Sequence, residues 1–142
     1  MRRIRSIALS MLLAVSLLGC GKEGPQTPLT SQQFDDMLHD VKKYKGSPVE
    51  IYGAVFATPQ RLEKMVYLQV YADPVNYGKS VIIAFENPSL DVGNGDYIHV
   101  VGKVKDEFTG ENTFGIKLSV PRIIADTVEK TGPHNVMSPP SN

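Results

Sequence analysis

Val49-Glu-Ile51-Tyr-Gly53-Ala-Val55 and Ile98-His-Val100-Val-Gly102-Lys-Val104 repeat one pattern: apolar residues at every second position, with a glycine in the third place. A two-residue period places alternate side chains on opposite faces, which is the signature of a half-buried strand. A glycine inside such a strand lets another backbone approach closely or lets the strand coil sharply, as small closed sheets require. Two strands of this kind in one short chain predict a sheet that curls on itself.

The remaining segments fit that expectation. Val66-Tyr-Leu68-Gln-Val70-Tyr-Ala72 alternates, Val81 to Phe85 is a short apolar run, and Phe114 to Val120 and Ile123 to Val128 finish the set with an interruption at Pro121. Turn chemistry separates them at Asp73-Pro74 with Asn76 to Gly78, at Asn87-Pro88, at Gly93-Asn-Gly95 and at Thr109-Gly110. Ahead of the strands, Thr30-Ser-Gln-Gln33 reads as a capping box, and Phe34, Met37, Leu38, Val41 and Tyr44 recur at helical spacing. Gly46 and Pro48 stop that helix. The expected fold class is therefore all-β with one N-terminal helix: a helix over 31–45 and a five-stranded antiparallel barrel over 48–130, together one domain over 30–130.

The paired glycine strands resemble the first and fourth strands of the OB-fold. More narrowly, Tyr44-Lys-Gly46, Val49 to Val55, Gly95-Asp-Tyr97 with Val100 to Val104, and Phe108-Thr-Gly110 resemble the exported bacterial OB domains called tRNA-anticodon-like. The resemblance implies an OB-type barrel; its label does not imply tRNA binding. About ten residues separate Phe85 from Asp96, which leaves little room for the helix that OB-folds often carry there.

The N-terminus reads differently. Arg2, Arg3 and Arg5 precede an apolar run from Ile7 to Leu18, shorter than the roughly 20 residues that span a bilayer. This is the layout of a secretory signal peptide over 1–19. Leu17-Leu18-Gly19-Cys20 resembles the lipobox of bacterial lipoproteins, which implies lipid (palmitate among the acyl chains) on Cys20 as the mature N-terminus. Residues 20–29 then form the lipidated cysteine and a flexible tether, and 131–142 a disordered tail. The expected location is the cell envelope: the periplasmic side of the outer membrane in a two-membrane host, since Gly21 is not the aspartate of an inner-membrane retention signal, and otherwise the outer face of the plasma membrane. Cys20 is the single cysteine, so lipidation leaves no thiol for a disulfide or for catalysis.

The chain has 15 basic and 15 acidic residues; losing Arg2, Arg3 and Arg5 with the signal leaves 12 basic residues and a net charge of −3. No basic stripe appears, which argues against a nucleic-acid partner. Lys42, Lys43 and Lys45 follow Asp35, Asp36 and Asp40, an order that suits a helix dipole. His39, His99 and His134 are isolated, which predicts no metal site and no cofactor. Asp91 to Asp96 lacks the oxygen spacing of a calcium loop. No Gly-x-Ser-x-Gly or Ser-x-x-Lys occurs, and the chain reads as no enzyme. Strand parity puts Tyr52, Phe56, Tyr67 and Tyr71 on one outward face, with a hairpin about Arg61-Leu62 setting Phe56 opposite Tyr67 and Tyr52 opposite Tyr71. Those rings are either a partner face or cross-strand packing pairs covered by the helix. The function expected from sequence is a membrane-anchored module binding an envelope protein or oligosaccharide, or else an assembly subunit with no ligand site.

Overall fold

The computed structural model describes residues 27–111 and 114–133. The signal peptide, Cys20, most of the tether and the tail from His134 lie outside the described residues. The elements are α1 (Ser31–His39), a 3-10 turn (Val41–Tyr44), β1 (Pro48–Val55), β2 (Gln60–Leu62), β3 (Met65–Asp73), β4 (Gly78–Phe85), β5 (Tyr97–Glu111) and β6 (Lys117–Thr131).

The capping box forms: the Gln33 N–H donates to Thr30 Oγ1, and the Thr30 N–H donates back to Gln33 Oε1. The α-helix ends earlier than 45. Asp40 leaves helical geometry (φ −144°, ψ 75°) and its carboxylate caps the next turn at the Lys43 N–H, so the expected single helix becomes a nine-residue helix and a 3-10 turn. Asp40 competes with the helix in the way that makes aspartate a cap former.

The sheet order is β1-β5-β6-β4-β3-β2, and a further β1–β3 pairing makes the order return on itself. This is a mostly β, OB-like fold, with one correction. The sheet is mixed and not antiparallel throughout, because β4 and β6 pair in parallel through Ile82↔Arg122, Ile83↔Ile123 and Ala84↔Ile124. A β6 that returns along β5 meets β4 in the same direction, a relation that alternation cannot reveal. Six strand segments appear where five were expected, since Thr58-Pro59 breaks the first strand before Gln60. Pro121 does not break β6; it pairs with Glu107 inside the ladder.

The interior is built from Val49, Ile51, Val66, Leu68, Val81, Ile83, Ile98, Val100 and Ile123, all at most 3% exposed. Phe34, Met37 and Val41 bring the helix stripe into the same cluster. Backbone bonds Gly46 N–H to Val104 O and Val104 N–H to Ser47 O fasten the chain after the helix to β5. The helix thus closes the core and leaves the outward aromatic face uncovered.

Gly102 is the tightest point. A Cβ there would collide with the carbonyl oxygen of Ile124 and sit 2.8 Å from Ala125 Cα, where β5 and β6 change register. Gly95, at φ +92°, faces open space. Gly102→Ala should destabilise the fold by about 3 kcal/mol or more, the upper end for overpacking. Gly95→Ala should cost only the left-handed penalty of about 1–2 kcal/mol. Urea unfolding of the two variants checks the difference; equal losses would mean that the Gly102 contact relaxes freely.

Candidate functional site

Two register shifts build a cleft out of the sheet. Between Val101 and Gly102 the extra residue is Asp126 on β6; between Val104 and Asp106 it is Lys105 on β5. A bulge turns the following residues to the opposite face. Val104 is core, yet from Asp106 onward the even-numbered residues pair with Arg122, Val120 and Leu118 on the outer face. β1 reaches only to Lys103 along β5, so beyond it β5 and β6 continue as a two-stranded arm.

The outer face of that arm, carrying Phe108, Gly110, Leu118, Val120 and Arg122, forms one wall of a cleft of about 730 Å³. The floor is Gln69, Ser80 and Ile82 from β3 and β4, and the other wall is Phe56, Gln60, Leu62 and Tyr67. The lack of a side chain at Gly110 lets the Phe108 ring lie against it, with Phe108 Cε1 3.0 Å from where a Cβ would stand. Leu62, Phe108 and Leu118 remain 59%, 44% and 51% exposed, so the cleft offers apolar surface to a ligand rather than to the core. On the arm's far face the Thr109 and Ser119 hydroxyls meet at 3.2 Å.

Arg122 grips Asp106 in a two-point pair, Nε to Oδ1 at 2.7 Å and Nη2 to Oδ2 at 2.6 Å. That pairing holds the Asp106 carboxyl below its usual range, against the opposing effect of partial burial. It also raises Arg122, to which the nearby Tyr67 contributes. Among the described residues that line the cleft, Arg122 is the one cation and Glu111 the one carboxylate.

The four aromatic residues singled out in the sequence do share the outward side, and none is buried. Their expected partners are corrected. The hairpin turns at Glu63–Lys64 and not at Arg61-Leu62, because the break at Thr58-Pro59 inserts residues ahead of β2. Ala54 therefore faces Tyr71, and the Phe56 N–H donates to Gln69 O. Phe56 stacks on Tyr71 (4.0 Å, 20°), and Tyr71 meets Tyr77 edge-on (6.1 Å, 77°). Tyr52 pairs across to β5 and stacks on His99 (4.3 Å, 11°), whose Nε2 lies 2.7 Å from Glu50 Oε1. Phe56 and Tyr67 line the cleft; Tyr71 touches it through Phe56, and Tyr52 does not line it.

Sequence reasoning missed Phe108, Leu118, Arg122 and Tyr77. Alternation on β5 was read only as far as Val104, and the bulge at Lys105 turns Phe108 outward beyond it. The other candidates have structural work. Asp36 accepts from Tyr44 Oη (2.5 Å) and Lys43 Nζ (2.9 Å), which lowers its pKa, the tyrosine contributing most. Asp96 accepts the Gly93 N–H in the turn before β5. No group of three metal-type ligands occurs among the described residues, and none of their helices is long and apolar enough to cross a membrane.

No family model matches the chain, and no curated protein matches it. Among solved structures it is similar to Rim1, a mitochondrial single-stranded DNA binding protein of S. cerevisiae, at 14% identity and a TM-score of 0.42, over 60% of this chain and 94% of that one. It is also similar to the second single-stranded DNA binding protein, SSBb, of Mycobacterium smegmatis, at 18% identity and a TM-score of 0.42, over 65% of this chain and 98% of that one. These neighbours correct two expectations. Both neighbours are single-stranded DNA binding proteins, which stands against the expectations of no nucleic-acid partner and of an envelope protein or oligosaccharide partner or an assembly subunit without a ligand site.

The Asp106–Arg122 pair makes a pH prediction. A carboxyl held below its ordinary pKa of about 3.9 stabilises the fold above that value and stops doing so as pH falls through its folded-state pKa. Asp106→Asn should lower stability at neutral pH by less than about 1 kcal/mol, because the pair is half-exposed. The difference from wild type should shrink as pH falls through and below the ordinary carboxylate range in urea titrations; a difference unchanged by acid would assign the effect to packing.

Proposed function

We propose that the domain is an OB-type barrel that binds single-stranded nucleic acid in the cleft between the β2–β3 hairpin and the β5–β6 arm. The observation that carries this reading is the convergence of Phe56, Tyr67, Phe108 and Arg122 on one open cleft. OB-folds take oligonucleotides on the face of their second and third strands, between the loop after the first strand and the loop after the fourth. Here those elements are β3 and β4, the β2–β3 hairpin and the β5–β6 arm. Aromatic faces stack on bases of any sequence, at about 1–3 kcal/mol per base. A duplex keeps its bases stacked inside, so only a single strand can use the three rings. Gln60, Gln69 and Ser80 supply donors and acceptors for base edges or sugars.

Binding should therefore depend on stacking more than on charge. Fluorescence anisotropy with a labelled oligothymidylate should show binding to the single strand and none to a duplex of equal length. Phe108→Ala and Tyr67→Ala should each weaken it by about five- to 100-fold. With Arg122 as the one cation in the cleft, the log–log salt slope should be no steeper than about −0.7, the value of a single phosphate contact. Equal affinity for duplex, or full affinity without the rings, would refute the proposal.

The signal-like residues support a second proposal, for location: the domain is exported and held at the envelope by lipid on Cys20. Arg2, Arg3 and Arg5, the run from Ile7 to Leu18 and Leu17-Leu18-Gly19-Cys20 fall in the order that processing requires. More than one acyl chain is needed for durable anchoring. In the producing bacterium, Cys20→Ser should abolish metabolic labelling with palmitate and move the protein to the soluble fraction. Undiminished labelling would overturn this assignment.

A further inference from the structure

The turn joining β3 to β4 holds an unusual residue. Tyr77 has φ +53° and Lys79 has φ +58°, left-handed backbone that disfavours any side chain and a bulky one most. The turn is held by contacts on both sides of Tyr77. Asp73 accepts the Asn76 N–H at Oδ1 (3.2 Å) and the Asn76 side-chain N–H at Oδ2 (2.9 Å). Lys79 Nζ reaches Asp35 Oδ1 on α1 at 2.7 Å, tying the start of β4 to the helix. The ring carried on this braced turn stays 76% exposed, so burial does not offset the strain.

The position of that ring connects to the cleft. Phe56 lines the cleft and stacks on Tyr71, and Tyr71 meets Tyr77 edge-on. Ser80, which pairs with Tyr71 across β3 and β4, lies in the cleft floor. An unbroken series of rings thus leads from the cleft to the turn, along the outer face that the helix leaves uncovered.

We infer that Tyr77 is an outer stacking position for single-stranded nucleic acid, engaged only by strands long enough to leave the cleft over Phe56 and Tyr71. The inference rests on the proposed function of the cleft. A braced, left-handed residue presents its ring at a fixed place before any ligand arrives, which limits the ordering cost of stacking on it. Site sizes of about 4–16 nucleotides per OB-fold leave room for such an extension.

The test compares oligothymidylates of about four and about twelve nucleotides on the full domain, with Tyr77→Asn and Tyr77→Phe. Asparagine tolerates left-handed backbone, so Tyr77→Asn removes the ring while leaving the turn able to form. Tyr77→Asn should weaken the longer strand by about five- to 100-fold, the value of one base stack, and leave the short strand unchanged. Tyr77→Phe should keep both affinities. Unfolding midpoints of all three proteins should agree within error or favour Tyr77→Asn. Loss of affinity for both lengths, or for neither, would overturn the role of Tyr77 while leaving the cleft reading intact. Failure of the wild type to bind either strand would refute the cleft reading and this extension together.

Discussion

Everything outside the core depends on how closely β5 and β6 approach at Gly102. With no Cβ there, the Ile124 carbonyl and the Ala125 α-carbon lie against the β5 backbone, and the ladder changes register at that point. Two 15-residue strands can then serve two purposes. Their lower halves complete the curled sheet, β5 against β1 and β6 against β4; their upper halves leave it as an arm. Straight strands of that length would either flatten the sheet or stand away from it, and neither arrangement makes a concave wall beside β3 and β4. The cleft is a consequence of strand bending more than of any loop.

The same bends mark where the sequence stopped being readable. Alternation within Val49–Val55, Val66–Ala72 and Ile98–Val104 identifies the core side correctly, because those strands run without interruption. Each bulge then exchanges the faces. On β6 the core side passes from Val128 to Ala125 and Ile123 across Asp126; on β5 the even positions leave the core side beyond Lys105. Nothing in the residue types of Lys105 or Asp126 announces an unpaired position. Phe108 and Arg122 were therefore invisible as neighbours, although both stand in plain view in the sequence. The glycine at 102 was visible, and its meaning as a point of close approach was correctly read.

Parity also explains why the aromatic face was legible in membership but not in pairing. The break at Thr58-Pro59 adds residues in a way that preserves the outward direction of Phe56 and Tyr67 while moving the hairpin turn to Glu63–Lys64. Membership of a face depends only on odd or even position; partners depend on the turn. The helix behaved similarly. Its stripe was identified, but Asp40 ended it, and the choice between covering the aromatic face and closing the core was settled by Phe34, Met37 and Val41 entering the core cluster. That choice leaves Tyr71 and Tyr77 half or largely exposed.

A count of charges leaves out how those charges are arranged on the surface. Much of the described charge is internally matched: Arg122 with Asp106, Lys79 with Asp35, Lys43 with Asp36, and Lys130 beside Asp96. Arg61 points its guanidinium at the Leu90 carbonyl, bracing the strand that carries the cleft wall. Cations committed in this way leave little field to attract a polyanion from a distance, so non-specific, charge-driven association should be weak. Stacking is a different term. It needs flat rings at fixed places and an unpaired strand, and it tolerates any base because every base has a π-face. A domain of net charge −3 offers no field for duplex readout by charge, whereas Phe56, Tyr67 and Phe108 in one cleft are the features on which the proposed single-strand reading rests. The ion pairs then act on the site indirectly: Asp106 holds Arg122 beside Tyr67, and Asp35 holds the turn that presents Tyr77, so the matched charges set the geometry in which the rings are offered.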